Sequence, residues 1–469
     1  MQDSHDVAVI GGGPAGYVAA IRAAQQGARV LLVEKEKLGG TCVNWGCVPT
    51  KVFLADVKPF YEIGRSSLVA DGQIPMPSFE KMLNRKRMVV ERMNKGIETL
   101  LRSNDIDLIY GKASLLDSQT VSVLTGAGEE THKASHIIIA TGSQTAKLPN
   151  LGMDGESVLS SDDILSLDRV PEEMVIVGGG VIGVEFATIF NTLGTQVIIL
   201  EVLPTVLPAE DDEVTLLLSA LLQKQGITVR TKTEVLEVTG GDGRLSVTVR
   251  SESGELDTIA TERVLVAVGR TPYTRGLGTD HVGLTMDGPF IKVNSRMATS
   301  VDGIYAVGDV VGKTMLAHAA SAEGIVAVDN ILGHPRAIDY RRIPSCVYCF
   351  PEVASIGLNE KEARDGGLDI HIGRFPFQCS AKAVAMREPE GFVKLIADKH
   401  TGRLLGAHII GENATELIGE CTLAMHLGAT VSDLAEVVKG HPSLSETVTE
   451  AALEWSAKSI HLPRRGSPS

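Results

Sequence analysis

Cysteine is scarce in this chain: six of 469 residues, with aromatic side chains at 4% and two tryptophans. Six thiols cannot staple so long a chain into a disulfide scaffold, so any closely spaced pair has to be read as redox or metal chemistry. Cations are in deficit as well, 44 Lys and Arg against 58 Asp and Glu, for a formal net charge of −14. That balance argues against nucleic acid as a partner, since phosphate backbones are bound by clustered Lys and Arg. No uninterrupted apolar run reaches the roughly 18 residues of a membrane span. The opening Met-Gln-Asp-Ser-His-Asp has neither the basic nor the apolar region of a signal peptide, so a cytoplasmic protein without membrane contact is expected. Proline is modest at 19, and the 49 glycines show no three-residue period, which excludes collagen and low-complexity chains. What remains, 43% hydrophobic over this length, fits a cored small-molecule enzyme of about three domains at roughly 150 residues each.

The glycines resolve into a duplication. Gly11, Gly13, Gly16, Gly27 and Glu34 recur as Gly178, Gly180, Gly183, Gly194 and Glu201, all at one offset of 167 residues (11 to 178). Each copy has a β-branched strand, a glycine turn, a helix with small residues and a second apolar strand ending in an acid, the order of a dinucleotide-binding βαβ unit. The first glycine permits the turn, the second lets backbone approach a pyrophosphate, and the third lets helix and strand pack; the helix N-terminus offers unpaired N–H groups. Glu34 and Glu201 would accept from ribose hydroxyls. No arginine follows Glu201 in EVLPTVLP, so the second site is expected to prefer NAD over NADP.

Other segments fall around these units. Ser78 to Asn104 has helical apolar spacing with Ser78 as its N-cap. The strands HIIIATG and RVLVAVG, each ending in glycine, are expected to be parallel and buried. Beyond about residue 345, strands such as VASIG and FVKLIAD alternate with helical stretches, as in an α+β domain. The tail HLPRRGSPS reads as frayed. The fold class is therefore α/β: two Rossmann-like dinucleotide-binding domains plus a C-terminal α+β domain.

Directly after the first unit comes GGTCVNWGCVPTK. Cys42 and Cys47 are separated by four residues near the start of a distorted helix, where thiolates are favoured, with Thr41 available as a cap. A structural bridge over so short a loop stabilises by only about 2 kcal/mol. Zinc would need two more ligands, and no neighbour is His, Asp or Cys, so no metal is expected. A reversible dithiol/disulfide beside a flavin fits best. Cys346 and Cys349, in PSCVYCFPEVA, are expected on opposite faces of one strand and thus as buried thiols, and Cys379 and Cys421 as packing residues.

GGTCVNWGCVPTK, the paired glycine motifs, GRTP at 269–272, IYAVGD at 304–309, PEVASIG at 351–357 and HPSLSE at 441–446 together resemble the flavin-dependent pyridine-nucleotide disulfide oxidoreductases, and within them the dihydrolipoamide dehydrogenases. The likeness implies an NAD-dependent oxidoreductase and flavoprotein with FAD, a Cys42–Cys47 redox disulfide, and homodimers. Cys42 would exchange with substrate sulfur and Cys47 would lie against the flavin. His441, supplied across the dimer, would be the base, oriented by Glu446. Lys51 would sit near the reactive flavin nitrogen, paired with Glu185. Asp309 would bind the ribityl chain; Met315, Leu316, Ala317 and His318 would give backbone contacts to the flavin ring. Ala113 with Ala140, Thr141 and Gly142 would complete the FAD site, and Val235 and Gly269 the NAD site.

The implied domains are 1–150 (FAD, first part), 151–274 (NAD), 275–345 (FAD/central, second part) and 346–469 (dimerisation). Implied partners are lipoyl-bearing proteins of 2-oxoacid dehydrogenase complexes or of the glycine cleavage system. No lipoyl-type or metal-binding extension precedes the first glycine motif, so docking is expected to use the dimer surface. Lys439 stands where many members have histidine, and Trp45 adds bulk inside the redox loop; both bear on substrate access. The alternatives are a related disulfide or mercuric reductase, for which the cysteine-free tail is unsuited, and a non-catalytic flavoprotein scaffold of a large complex, against which the intact Cys42, Cys47, His441 and Glu446 speak.

Overall fold

A computed structural model of the chain describes residues 4–66, 76–241 and 243–463. Of the tail read as frayed, residues 464–469 lie outside the described residues. The chain divides into two compact units, the first comprising Met1–Pro149, Met153–Val170 and Val268–Tyr340, the second Asn150–Gly152, Pro171–Ala267 and Arg341–Ser469.

In the first unit the strand His5–Ile10 lies between parallel neighbours, Val30–Glu34 on one side and the far half of Gly128–Ile139 on the other. Alternate residues feed two cores. Val7, Val9 and Leu32 pack with Ala15, Ala19, Ala20 and Ala327, while Ala8, Ile10, Leu31 and Val33 pack with Ile137, Ile139 and Ile304. A strand covered on both faces reads as a continuous apolar run, which is why VAVI carries no polar alternation. The long strand Gly128–Ile139 serves twice: its first half pairs antiparallel with Thr120–Thr125, and its second half pairs parallel with Ile304–Ala306. The pairing at Ala306↔Ile139 delivers Asp309 to the same strand ends as the first glycine turn. The helix Phe79–Ser103 is capped by Ser78, whose side chain accepts from the Lys81 N–H at 3.4 Å.

The second unit repeats the nucleotide fold. Strand Glu173–Val177 pairs parallel with Gln196–Leu200 and Arg263–Val266, and Gln196–Leu200 with Thr228–Arg230. An antiparallel meander of Thr233–Gly241, Arg244–Ser251 and Leu256–Thr261 follows. The C-terminal portion is an antiparallel five-stranded sheet in the spatial order Ser345–Val347, Glu352–Gly357, Leu404–Gly411, Phe392–Asp398, Ile370–Pro376. Its core joins Phe375, Phe377, Leu395 and Ile409 to Ile418, Cys421, Val448 and Ala451 of the helices Ala414–Leu427 and Glu446–Trp455. The mixed α/β architecture expected from the sequence is the one observed.

Two local expectations are corrected. The strand holding Cys346 ends at Val347, so Cys349 lies beyond it, buried, with its thiol donating to the Pro351 carbonyl at 3.1 Å. Three residues is the whole length of this edge strand, and the two cysteines share no strand face. Thr41 does not cap a helix. Its helix, Gly40–Asn44, starts after Gly39 in a left-handed conformation without a side-chain cap, and the Thr41 hydroxyl accepts instead from Arg270 Nη2 at 3.3 Å.

Candidate active site

The two glycine turns are built alike, and their geometry separates the three glycines. Gly11 has φ +106°, and a Cβ there would fall 2.3 Å from the Ala140 carbonyl oxygen. A Cβ on Gly16 would fall 1.8 Å from the Gly11 oxygen, and on Gly183 2.0 Å from the Gly178 oxygen, so the first and third glycines are fixed by the protein's own backbone. The middle ones differ. Gly13 would meet only the Gly40 Cα at 3.9 Å and Gly180 nothing within 4 Å, leaving open space before the helices Pro14–Gln25 and Val181–Thr192. Neither helix has a side-chain cap or an acid in its first turn, so both N-termini keep N–H groups for an anion.

Each turn is held by its acid. The buried Glu34 accepts from the Gly12 N–H at 2.6 Å and the Glu36 N–H at 2.7 Å; Glu201, equally buried, accepts from Gly179 at 2.6 Å and Leu203 at 2.8 Å. The carboxylates thus lock the loops that a dinucleotide would touch, and each retains lone pairs for a ribose hydroxyl.

The first site fits a flavin nucleotide on further grounds. The strand Gly128–Ile139 runs into Ala140, Thr141 and Gly142, and the buried Thr141 hydroxyl finds no partner among the described residues; nor does that of Thr314. Met315 is exposed, Leu316 is the N-cap of the helix Ala317–Ile331, and Ala317 and His318 open that helix, which again lacks a capping side chain. Asp309 follows Gly308, whose N–H donates to the buried Glu323 carboxylate at 2.5 Å; Glu323 also accepts from the Tyr340 hydroxyl at 2.7 Å. Burial pushes the Glu323 carboxyl up against these two hydrogen bonds. Ala113 lies on the strand Lys112–Leu115, paired with Val123. In the second unit Val235 sits at a register shift of the meander beside the second glycine turn's sheet. Gly269, at φ +115° with open space where a side chain would be, falls in the first unit.

The redox loop breaks into two helices. Cys42 lies in Gly40–Asn44, and Cys47 is the first residue of Cys47–Gly64, with Trp45 and Gly46 between. Both are reduced thiols, Cys47 exposed and Cys42 half-buried. The thiols are hydrogen-bonded to each other, and that bond, with burial and the Cys47 charge, drives the Cys42 thiol well above its usual range while the Lys51 ammonium acts in the opposite direction. A thiol that donates to its neighbour and is half-buried resists losing its proton, and Cys42 is the thiol so held here. Lys51 is on the same helix as Cys47, one turn on. Glu185, in the second unit, is buried on Val181–Thr192 and accepts from the Tyr348 N–H at 3.0 Å.

His441 and Glu446 meet in the second unit. His441 Nδ1 lies 2.9 Å from Glu446 Oε1, and Glu446 Oε2 accepts from the Ser443 N–H at 2.7 Å. Burial opposes ionisation of Glu446, but the hydrogen bonds from His441 and Ser443 prevail and hold its carboxyl below the usual range. The imidazole is largely exposed, and with Nδ1 engaged by the carboxylate its Nε2 is available as an acceptor. Lys439, two residues earlier, is tied to Glu420, and burial lowers its ammonium.

The sequence and the fold are matched by known proteins. Residues 5–324 match the family model of the pyridine nucleotide-disulphide oxidoreductases, and residues 343–452 that family's dimerisation domain. The chain belongs to this family. It is 39% identical to a dihydrolipoyl dehydrogenase of Rhizobium etli, over 97% of this chain and 98% of that one, and 40% identical to one of Bacillus subtilis, over 98% and 100%. Among solved structures, LpdA from Mycobacterium tuberculosis superposes with a TM-score of 0.89 at 29% identity, covering 95% of this chain and 99% of that one. The flavoprotein disulfide reductase RclA from Escherichia coli gives 0.85 at 29%, covering 96% and 99%. The chain is an oxidoreductase, and its cofactors are FAD and NAD. No described helix is long and apolar enough to cross a membrane.

Residues that sequence reasoning did not single out as site residues also converge here. Ser143 Oγ donates to Asp309 Oδ2 at 2.5 Å and accepts from Arg270 Nε at 2.7 Å, while Arg270 Nη2 reaches the Ser143 carbonyl at 3.0 Å as well as Thr41. Arg270 lies inside the GRTP motif, yet nothing local to that motif points at residues 41 and 143.

Proposed function

We propose that this chain oxidises protein-bound dihydrolipoamide to lipoamide through the Cys42–Cys47 pair and reduces NAD⁺ to NADH. The observation that carries the reading is the pair itself: two hydrogen-bonded thiols on a broken helix, under the charge of Lys51, inside a unit whose glycine turn and orphaned hydroxyls fit FAD. The names of the 39–40% identical relatives support the substrate.

In the oxidised enzyme a substrate thiolate attacks Cys42 Sγ, the Cys42–Cys47 bond breaks, and Cys47 leaves as thiolate. The second substrate sulfur then attacks the first, closing the lipoyl disulfide and releasing Cys42. His441 of the partner subunit takes the substrate thiol protons, and Glu446 of the partner subunit fixes the imidazole with Nε2 as acceptor. FAD, when bound, carries the electron pair from the thiols to NAD⁺. The balance is dihydrolipoamide and NAD⁺ to lipoamide, NADH and one proton.

We assign residues 1–150 and 275–345 to FAD binding, 151–274 to NAD binding and 346–469 to dimerisation, with Lys51 beside the flavin. The lipoyl group is carried by a component of a 2-oxoacid dehydrogenase complex or of the glycine cleavage system, and the protein works in the cytoplasm. Purified dimer with a flavin spectrum should reduce NAD⁺ with dihydrolipoamide far faster than NADP⁺. Absence of turnover, or faster NADPH oxidation by Hg(II), refutes the proposal in favour of a related reductase.

A further inference from the structure

We propose that Arg270 is a positioning residue that keeps the redox loop in register with the flavin-facing acid, gripping Thr41 on one side and, through Ser143, Asp309 on the other. The inference rests on the reaction proposed above and adds a residue to which that reaction gives no role.

Its basis is a continuous polar chain across segments far apart in sequence. Thr41 immediately precedes Cys42; Ser143 follows the Ala140–Gly142 turn; Arg270 follows Gly269; Asp309 ends AVGD. A short antiparallel ladder sets Arg270 opposite Thr145 and Pro272 opposite Ser143, so the guanidinium is presented to Ser143 from a paired backbone. One arm of the fork, Nε, donates to Ser143 Oγ at 2.7 Å, and that hydroxyl in turn donates to Asp309 Oδ2 at 2.5 Å. The other arm, Nη2, divides between the Ser143 carbonyl at 3.0 Å and Thr41 Oγ1 at 3.3 Å.

A clasp for the two-stranded ladder would need only the carbonyl contact. The remaining two bonds reach out of the ladder, one to the loop of Cys42 and one to Asp309. Arginine suits the task because its planar fork spans two acceptors and stays charged at every working pH; a lysine ammonium is a single point on a flexible stem. Asp309 is close enough to Cys42 for its charge to disfavour the Cys42 thiolate. A displaced Asp309 therefore disturbs both flavin and thiol, and the Ser143–Arg270 link is what holds that carboxylate from the loop side.

The test is a double-mutant cycle in the holoenzyme with Arg270→Gln, Arg270→Lys, Thr41→Val and Arg270→Gln/Thr41→Val. It reads three quantities: the dihydrolipoamide–NAD⁺ kcat and KM, the rate of FAD dissociation, and the rate at which iodoacetamide alkylates the reduced Cys42 and Cys47. Misplacing the loop by a fraction of an ångström should lower kcat in Arg270→Gln by roughly tenfold or more while KM for NAD⁺ stays within about twofold. Alkylation of the pair and FAD release should shift with it, Arg270→Lys should recover only part of each, and the double variant should lose less than the product of the singles. Losses that multiply, full recovery by lysine, or wild-type alkylation and FAD release in Arg270→Gln each overturn the proposal. If Arg270→Gln does not fold, Ser143→Ala cuts the Asp309 link and keeps the carbonyl contact, and unchanged FAD release there overturns it equally. A parent enzyme that holds FAD but ignores dihydrolipoamide refutes the reaction instead, and the alkylation cycle still decides Arg270.

Discussion

Gly180→Ala separates nucleotide binding from folding. Gly180 has φ −74° and ψ −174°, extended backbone that alanine adopts freely, and its Cβ would meet nothing within 4 Å. The folded state should therefore tolerate the methyl, and the smaller conformational freedom of the unfolded chain adds about 0.4–1 kcal/mol of stability. The methyl instead fills the space ahead of the helix Val181–Thr192, where the NAD pyrophosphate would lie against free N–H groups. Losing one such hydrogen bond to a charged group costs about 1.5–3 kcal/mol, or roughly 10- to 150-fold in affinity. Steady-state KM for NAD⁺ should rise over that range, with flavin content and melting temperature at or above the parent's. Gly183→Ala is the contrast, because its Cβ would fall 2.0 Å from the Gly178 oxygen and the helix must move off its turn. An unchanged KM for NAD⁺ in a well-folded Gly180→Ala enzyme would refute the assignment of this turn to the pyrophosphate.

Three further outcomes follow from the same geometry. Lys394, 1% exposed, holds Asp211, Glu213 and Glu360 at 2.8–2.9 Å, so Lys394→Met leaves three carboxylates around a methyl group and should cost about 3–5 kcal/mol, seen as a lower denaturation midpoint; an unchanged midpoint contradicts this. Cys47→Ser should abolish the long-wavelength thiolate-to-flavin absorbance of the two-electron-reduced enzyme, and persistence of that band would mean that the two thiol roles are reversed. The Glu446 carboxyl is held below its usual range in the folded chain, so its contribution to stability is full above the unfolded value of about 4.3 and disappears as pH falls through the folded value. Melting curves of Glu446→Gln and the parent should accordingly differ near neutrality and converge in acid; a constant difference down to about pH 3 would contradict this.

Features that depend on near neighbours were legible in the sequence. The order of roles among Gly11, Gly13 and Gly16 follows from a turn, a helix start and a helix–strand contact within six residues, and Ser78 caps its helix through Lys81 three positions on. The repeat at one offset made the second glycine turn as readable as the first. What escaped depends on chain closure. Thr41 looked like a cap because a hydroxyl beside a helix start usually is one, but Arg270 arrives from 229 residues away to claim it. Lys394 reads as an ordinary polar position in FVKLIAD, and only carboxylates brought in from afar, Asp211 183 residues earlier among them, explain a buried ammonium there. Cys349 was misplaced because strand length is poorly set by local pattern at a sheet edge, where one neighbouring strand supplies all the pairing.

The most direct test of the central claim is to follow the six thiols themselves. Oxidised enzyme is mixed anaerobically with dihydrolipoamide, quenched with an alkylating label and mapped by peptide. Two cysteines should become newly labelled, Cys42 and Cys47, and prior addition of excess NAD⁺ should return both to the unlabelled state as NADH appears. No new labelling, or labelling confined to Cys346, Cys349, Cys379 or Cys421, would contradict the account.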